Sequence, residues 1–243
     1  MGVPYHVHAS LNQEVEIPMA NTAPGTIIVL NGCPSVGKTS IAKAIQRTFA
    51  APYLHVGIDL FWLEVFPWEW AGAATNGVQE IPIEGASLPK IMQTAQPFGN
   101  FVISGLHHTI ATLAQMGHNV VVDHALTDPR YVTDIVTVWQ SLPVWLVGVF
   151  CPLETIYQRV AARTDRSWPS YLPMVNWMFD EVHQHTHGVY DLAVDTAQLT
   201  PDECALQIKR RLAEGPPPTA ITWLKARNDP AKQRGWLRRC TDQ

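Results

Sequence analysis

The stretch that most restricts the fold is "TIIVLNGCPSVGKTSIAKAI", residues 26 to 45. Five apolar, mostly β-branched residues run straight into a glycine-rich loop, and a helical pattern follows at once. A strand of that kind is stable only with both faces covered, as in a parallel sheet flanked by helices. The loop, Gly32, Cys33, Pro34, Ser35, Val36, Gly37, Lys38, Thr39 and Ser40, satisfies the GxxxxGK[ST] pattern in its proper setting, strand before and helix after. Backbone N–H groups of such a loop close around phosphate oxygens, and the positive end of the following helix faces the same anion. Lys38 is expected on the terminal phosphates. The Thr39 hydroxyl is expected on Mg²⁺, a cation that prefers oxygen ligands.

The same alternation continues along the chain. "NVVVD" (119–123) and "VWLVGVF" (144–150) read as two more buried strands, and "LHVGI" (54–58) as a shorter one. Between them, "NFVISGLHHTIATLAQMG" and "DPRYVTDIVTVWQSL" have helical spacing, the second starting at Asp128 with a proline behind it. "TPDECALQIKRRLAEG" has Thr200 as N-cap, Pro201 at the first position, Glu203 at the third and Gly215 as stop. Strands alternating with helices predict an α/β P-loop NTPase, a parallel sheet covered on both faces. With 243 residues, 47% of them hydrophobic, there is material for one domain with a lid. The expected division is an N-terminal tail over 1–24, a kinase domain over 25–214 with its lid near 159–182, and a basic extension over 215–243. The irregular Gly-, Pro- and Trp-rich segment 66–89 is long enough to suggest a functional loop.

A net charge of -4 and a pI near 6.2 provide no basic field, which argues against nucleic acid or an anionic membrane as partner. No run of about 18 uncharged apolar residues offers a membrane span. Four scattered cysteines, without paired spacing, fit reduced thiols and a cytoplasmic location.

Two carboxylates complete the reading of the site. Asp123, ending "NVVVD", stands where a strand-end carboxylate would complete the magnesium site. Asp59, after "LHVGI", either caps the next helix or points into the crevice at the carboxyl ends of the strands. In the crevice it could accept the proton of an attacking alcohol.

The set "IIVLNGCPSVGKTSIAKAI", "VGIDLFW", "NVVVDHAL", "VGVFCPLETIYQRVAARTDR" and "VYDLAVDT" resembles the chloramphenicol phosphotransferase family, in the same order over about residues 25 to 213. The resemblance implies a kinase that phosphorylates an alcohol of an antibiotic, Asp59 as the base, and a mobile arginine-bearing lid. The lid also shows in the residues themselves: Arg159 and Arg163 share a helical face, with Arg166 just beyond, and guanidinium groups can offset charge on a transferring phosphoryl group.

Trp62 and Trp68, with Trp70, lie close to Asp59 in sequence and suggest an apolar, aromatic wall for the acceptor. His183, His185 and His187 would share one face only on a strand, and no Cys or carboxylate cluster accompanies them, so a metal site there is not expected. His107 and His108 read as structural. The expected activity is transfer of the γ-phosphate of ATP, with Mg²⁺, to a hydroxyl of a small hydrophobic molecule. Lys38, Asp59, Arg163 and Arg166 would be catalytic, Thr39 and Asp123 metal-binding, and Asp59, Trp62 and Trp68 in contact with the acceptor. Alternatives are a kinase for another small metabolite or a nucleotide-sugar, or a nucleotide-dependent binding module; the chain could also form a homo-oligomer.

Overall fold

The structure is a computed structural model that describes residues 23–61, 65, 88–163 and 168–228. Five strands form one parallel sheet: β1 (Ile27–Asn31), β2 (Tyr53–Gly57), β3 (Asn119–His124), β4 (Val144–Phe150) and β5 (Leu192–Asp195), in the order β2-β3-β1-β4-β5. The helices are α1 (Lys38–Thr48), a single turn α2 (Ile58–Leu60), α3 (Leu88–Gln115), α4 (Pro129–Val138), α5 (Leu153–Ala161), α6 (Trp168–Glu181), α7 (Pro201–Glu214) and α8 (Ala220–Asn228).

β1 sits at the centre, paired with β3 on one side and β4 on the other, and Ile27, Ile28, Val29 and Leu30 are all fully buried. Burying each such side chain stabilises the fold by about 1.5–3 kcal/mol, which is why a run apolar on both faces belongs in the middle strand. Alternate residues feed two cores. Ile27, Val29, Val122 and Leu146 face α3, α4 and α8; Ile28, Leu30, Val121 and Val147 face α1, α6 and α7. The strand read at Leu54 to Ile58 ends one residue earlier, at Gly57, and Ile58 opens the turn that carries Asp59.

The local helix signals hold. Asp128 caps α4, its carboxylate accepting from the Arg130 backbone N–H at 2.8 Å. In α7 the Thr200 hydroxyl accepts from the Glu203 N–H at 3.3 Å, while the Glu203 carboxylate accepts from the Thr200 N–H at 2.8 Å. Gly215 stops α7 for a different reason than a left-handed cap: its φ is -85°, and a Cβ there would lie 2.6 Å from the Arg211 carbonyl oxygen.

Beyond the prolines, α8 returns to the body, with Ala220, Ile221 and Leu224 buried in the core. Asp191 holds this return. Its Oδ1 accepts from Thr219 N and Ala220 N at 2.7 and 3.1 Å, and its Oδ2 from Leu146 N at 2.9 Å. Among the described residues no helix is long and apolar enough to cross a membrane.

Candidate active site

The loop after β1 is shaped by two left-handed residues, Ser35 at φ 62° and Gly37 at φ 109°. Gly37 is the one that costs least there, because it carries no Cβ. Lys38 opens α1, and its Nζ, on a side chain only 8% exposed, donates to the carbonyls of Gly32 (2.8 Å) and Cys33 (3.0 Å) and stands 3.6 Å from Asp123 Oδ1. The ammonium is thus fixed against the loop's own carbonyls and beside Asp123. Thr39, the next residue, donates from Oγ1 to Asp123 Oδ2 at 2.5 Å. A hydroxyl and a carboxylate whose oxygens already converge form a hard donor set that fits magnesium. Ser40 lies exposed one position further on.

Asp123 reaches this corner through strand register. It pairs with Leu30 on one side and Gly57 on the other, so the carboxyl ends of β1, β2 and β3 finish together. Asp59 follows two residues after Gly57 and is exposed at the same edge.

The arginines divide. Arg159, partly buried, donates to Val36 O (3.0 Å), Thr196 Oγ1 (2.9 Å) and Thr196 O (2.7 Å), while Thr196 itself donates to Val36 O at 2.6 Å. Arg159 therefore braces the loop against the end of β5 and is not a solvated helix residue. Arg163 reaches the loop directly, Nη1 donating to Ser35 Oγ at 3.3 Å. Arg166, Trp62 and Trp68 lie outside the described residues.

Cys33 and Pro34 have no acid–base role here. The Cys33 thiol donates to Val175 O at 3.6 Å, and burial pushes its pKa up to about 12, so it stays protonated.

Two buried polar networks on the opposite face of the sheet escaped sequence reasoning. In the first, Asn31, fully buried, donates from Nδ2 to Val182 O (2.8 Å) and Tyr190 Oη (2.9 Å), and its Oδ1 accepts from Leu126 N at 2.8 Å. The lone polar residue at the end of an apolar strand was its only signal. Tyr190 Oη also meets His183 Nδ1 at 2.6 Å and Thr186 Oγ1 at 2.9 Å. In the second, Asp134 Oδ2 lies 2.6 Å from His107 Nδ1, and His107 Nε2 lies 2.9 Å from His124 Nε2. Burial pulls both imidazoles below their ordinary pKa, His124 furthest, with Asp134 partly offsetting it at His107. The structural reading of His107 thus extends to a chain that ends one residue from Asp123. His183, His185 and His187 lie in turns, not on a strand, and no metal-holding cluster occurs among the described residues.

The comparisons with known proteins agree with this architecture. The sequence matches the family described as chloramphenicol phosphotransferase-like protein over residues 25–213. Two Mycobacterium tuberculosis proteins, from strains CDC 1551 and H37Rv, carry the provisional name O-phosphotransferase; each is 27% identical over 213 residues, spanning 86% of this chain and 92% of its own length. Among solved structures, a sugar kinase from a Janibacter species aligns with a TM-score of 0.51 at 14% identity, covering 78% of this chain and 95% of its own. A gluconokinase from Sinorhizobium meliloti aligns at 0.51 and 20%, covering 79% and 94%. These likenesses show the P-loop kinase fold. With the match covering most of its length, the chain belongs to the chloramphenicol phosphotransferase-like family and is a phosphotransferase that acts on a hydroxyl of a small molecule.

Proposed function

We propose that the protein transfers the γ-phosphate of ATP, with Mg²⁺, to a hydroxyl of a small, largely apolar, antibiotic-like alcohol. The observation that carries this reading is the convergence of Lys38, Thr39 and Asp123 in one corner of the sheet edge, with Asp59 two residues beyond Asp123's register partner. Lys38, Thr39 and Asp123 supply the phosphate and metal end; Asp59 supplies the acceptor end.

In this mechanism the loop amides and the N-terminus of α1 hold the phosphates, and Lys38, held in place, stabilises the charge that develops on the leaving oxygen. Thr39 and Asp123 would hold magnesium, which when bound neutralises charge shared by the β- and γ-oxygens. Asp59 accepts the proton of the acceptor hydroxyl as that oxygen attacks phosphorus. Arg163, already on the loop at Ser35, and Arg166 contribute positive charge to the equatorial oxygens, where bidentate guanidinium geometry is suited to phosphate. Trp62 and Trp68 are proposed as the apolar side of the acceptor pocket. The segment Leu60 to Ser87 contains no Lys or Arg and four glutamates, which disfavours an anionic acceptor such as a nucleotide or a sugar phosphate.

The test is Asp59→Asn. Nucleotide affinity should stay within about twofold, while transfer to a hydrophobic alcohol, followed as a mass gain of one phosphate, should fall ~10²- to 10⁴-fold. Near-normal transfer by this variant removes Asp59 from the mechanism.

A further inference from the structure

The peptide that joins Val36 to Gly37 is fixed from outside the loop. The Val36 side chain is buried in the core shared with α1. Its carbonyl oxygen accepts from Arg159 Nη1 at 3.0 Å and from Thr196 Oγ1 at 2.6 Å. Arg159 grips Thr196 at the same time, donating from Nη1 to its hydroxyl at 2.9 Å and from Nη2 to its carbonyl at 2.7 Å. Thr196 is anchored in turn by its backbone N–H, which donates to Phe150 O at the end of β4 at 3.0 Å. Its hydroxyl also stands 3.3 Å from that oxygen, but it has one proton, and the shorter contact to Val36 O takes it. All the acceptors of Arg159 here are neutral oxygens, so the guanidinium serves through its planar fork of donors, which an ammonium of equal charge does not have.

A trans peptide points its C=O and its N–H in opposite directions, and no cis peptide bond occurs among the described residues. With Val36 O turned toward α5 and the end of β5, the Gly37 N–H is turned away from them. Gly37 is the N-cap of α1, at φ 109° and ψ 9°, and its carbonyl accepts from Ile41 N at 3.0 Å. Its N–H therefore joins those of Lys38 and Thr39 at the open end of the helix, where no intrahelical acceptor reaches them. Glycine admits both signs of φ, so nothing in Gly37 itself forbids a flip of this peptide. Such a flip would present a carbonyl oxygen to an anion where an N–H had been.

We propose that Arg159 and Thr196 are positioning residues for phosphoryl transfer: by holding the Val36 carbonyl outward, they keep the Gly37 N–H turned toward the phosphates of the nucleotide. This rests on the reading above that the loop amides hold those phosphates.

The experiment uses the full chain labelled with ¹³C-carbonyl valine and ¹⁵N-glycine, with ADP and Mg²⁺ as probe. The Gly37 amide, assigned sequentially, should shift on ADP binding to the wild type. Thr196→Val keeps the shape without the hydroxyl, and Arg159→Lys keeps the charge without the fork. In each, the Gly37 shift should shrink and the Kd for ADP should rise about tenfold, while the Gly105 and Gly188 amides, outside the loop, report an intact fold. Thr196→Ser restores the hydroxyl and should bind within about twofold of the wild type. The double variant should lose little more than the weaker-binding single one, because both residues act on one carbonyl. If ADP binds but leaves the wild-type Gly37 amide unmoved, or if Thr196→Val binds ADP normally with the shift intact, the proposal is overturned and nucleotide binding stands. If the wild type phosphorylates no alcohol, yet the Gly37 shift appears and fades in the variants, the acceptor reading fails and the clamp stands.

Discussion

On the α1 side of the sheet edge, the groups proposed to hold phosphate and metal come from one short run, Gly32 to Ser40, plus a single outside residue, Asp123. On the opposite side, Asn31 meets Tyr190 across 159 positions of sequence and Val182 across 151, and the His107–His124 pair adds Asp134 from a third element. The first region is local, half open and built to receive charge. The second is buried along the sheet and ends in the partly exposed Asp134 carboxylate; its groups mostly satisfy one another, although His124 Nδ1 is buried without a partner among the described residues. One can lose a residue and stay folded while losing chemistry; the other should lose stability first, because removing one member strands the rest.

That contrast is broken most sharply at Lys38. Lys38→Met should reduce transfer by ~10²- to 10³-fold, as removal of a fixed charge donor does, with thermal midpoint nearly unchanged. A large fall in the midpoint with activity per folded molecule intact would reverse the roles assigned to the two sides. Next in size, Asn31→Ala leaves the Leu126 N–H and the Val182 carbonyl without their partner and should cost about 2–3 kcal/mol, measured by urea unfolding. A loss under about 0.5 kcal/mol would mean the hub is not holding the strand end. The gentlest probe is acid. His107 and His124 have folded pKa values below the ordinary 6.5, so their contribution to stability is fully present above that pH and is lost as pH falls below it. Unfolding just below pH 6.5 should therefore take up protons, and His107→Asn should flatten the slope. The depressed carboxylates Asp128 and Asp134 act at lower pH, while His55, His183 and His187 are also depressed and add to the same slope, so the change on His107→Asn is what reports the pair. Stability that rises on acidification would contradict the buried, neutral assignment.

How legible these two regions were follows from the same contrast. The loop announced itself because its glycines, lysine and threonine must be neighbours in sequence to be neighbours around a phosphate. Strand periodicity carried Asp123, since a carboxylate ending an apolar β-branched run has only the sheet edge to occupy. The helix caps at Asp128 and Thr200 were equally plain, being contacts within three residues. The Asn31 hub was not readable, because no local pattern says which distant phenol a buried amide will meet. Arg159 shows the intermediate case. The helix ends at Ala161, so Arg163 lies beyond it and does not share its helical face as the spacing suggested, and whether Arg159 serves solvent, phosphate or the loop's own carbonyl depends on where β5 ends. In the motif "VYDLAVDT", Tyr190, Asp191 and Thr196 each make a structural bond that the string alone does not reveal.

Asp191 ties together parts of the chain that sequence order keeps apart. One carboxylate satisfies amides of β4 and at the start of α8, so this side chain adds to the core packing that fastens α8 to the sheet. An expression clone ended at the prolines would leave that charge with empty sites and would bare the apolar patch under Ile221 and Leu224. Whoever trims this protein for crystals should keep α8, or expect aggregates.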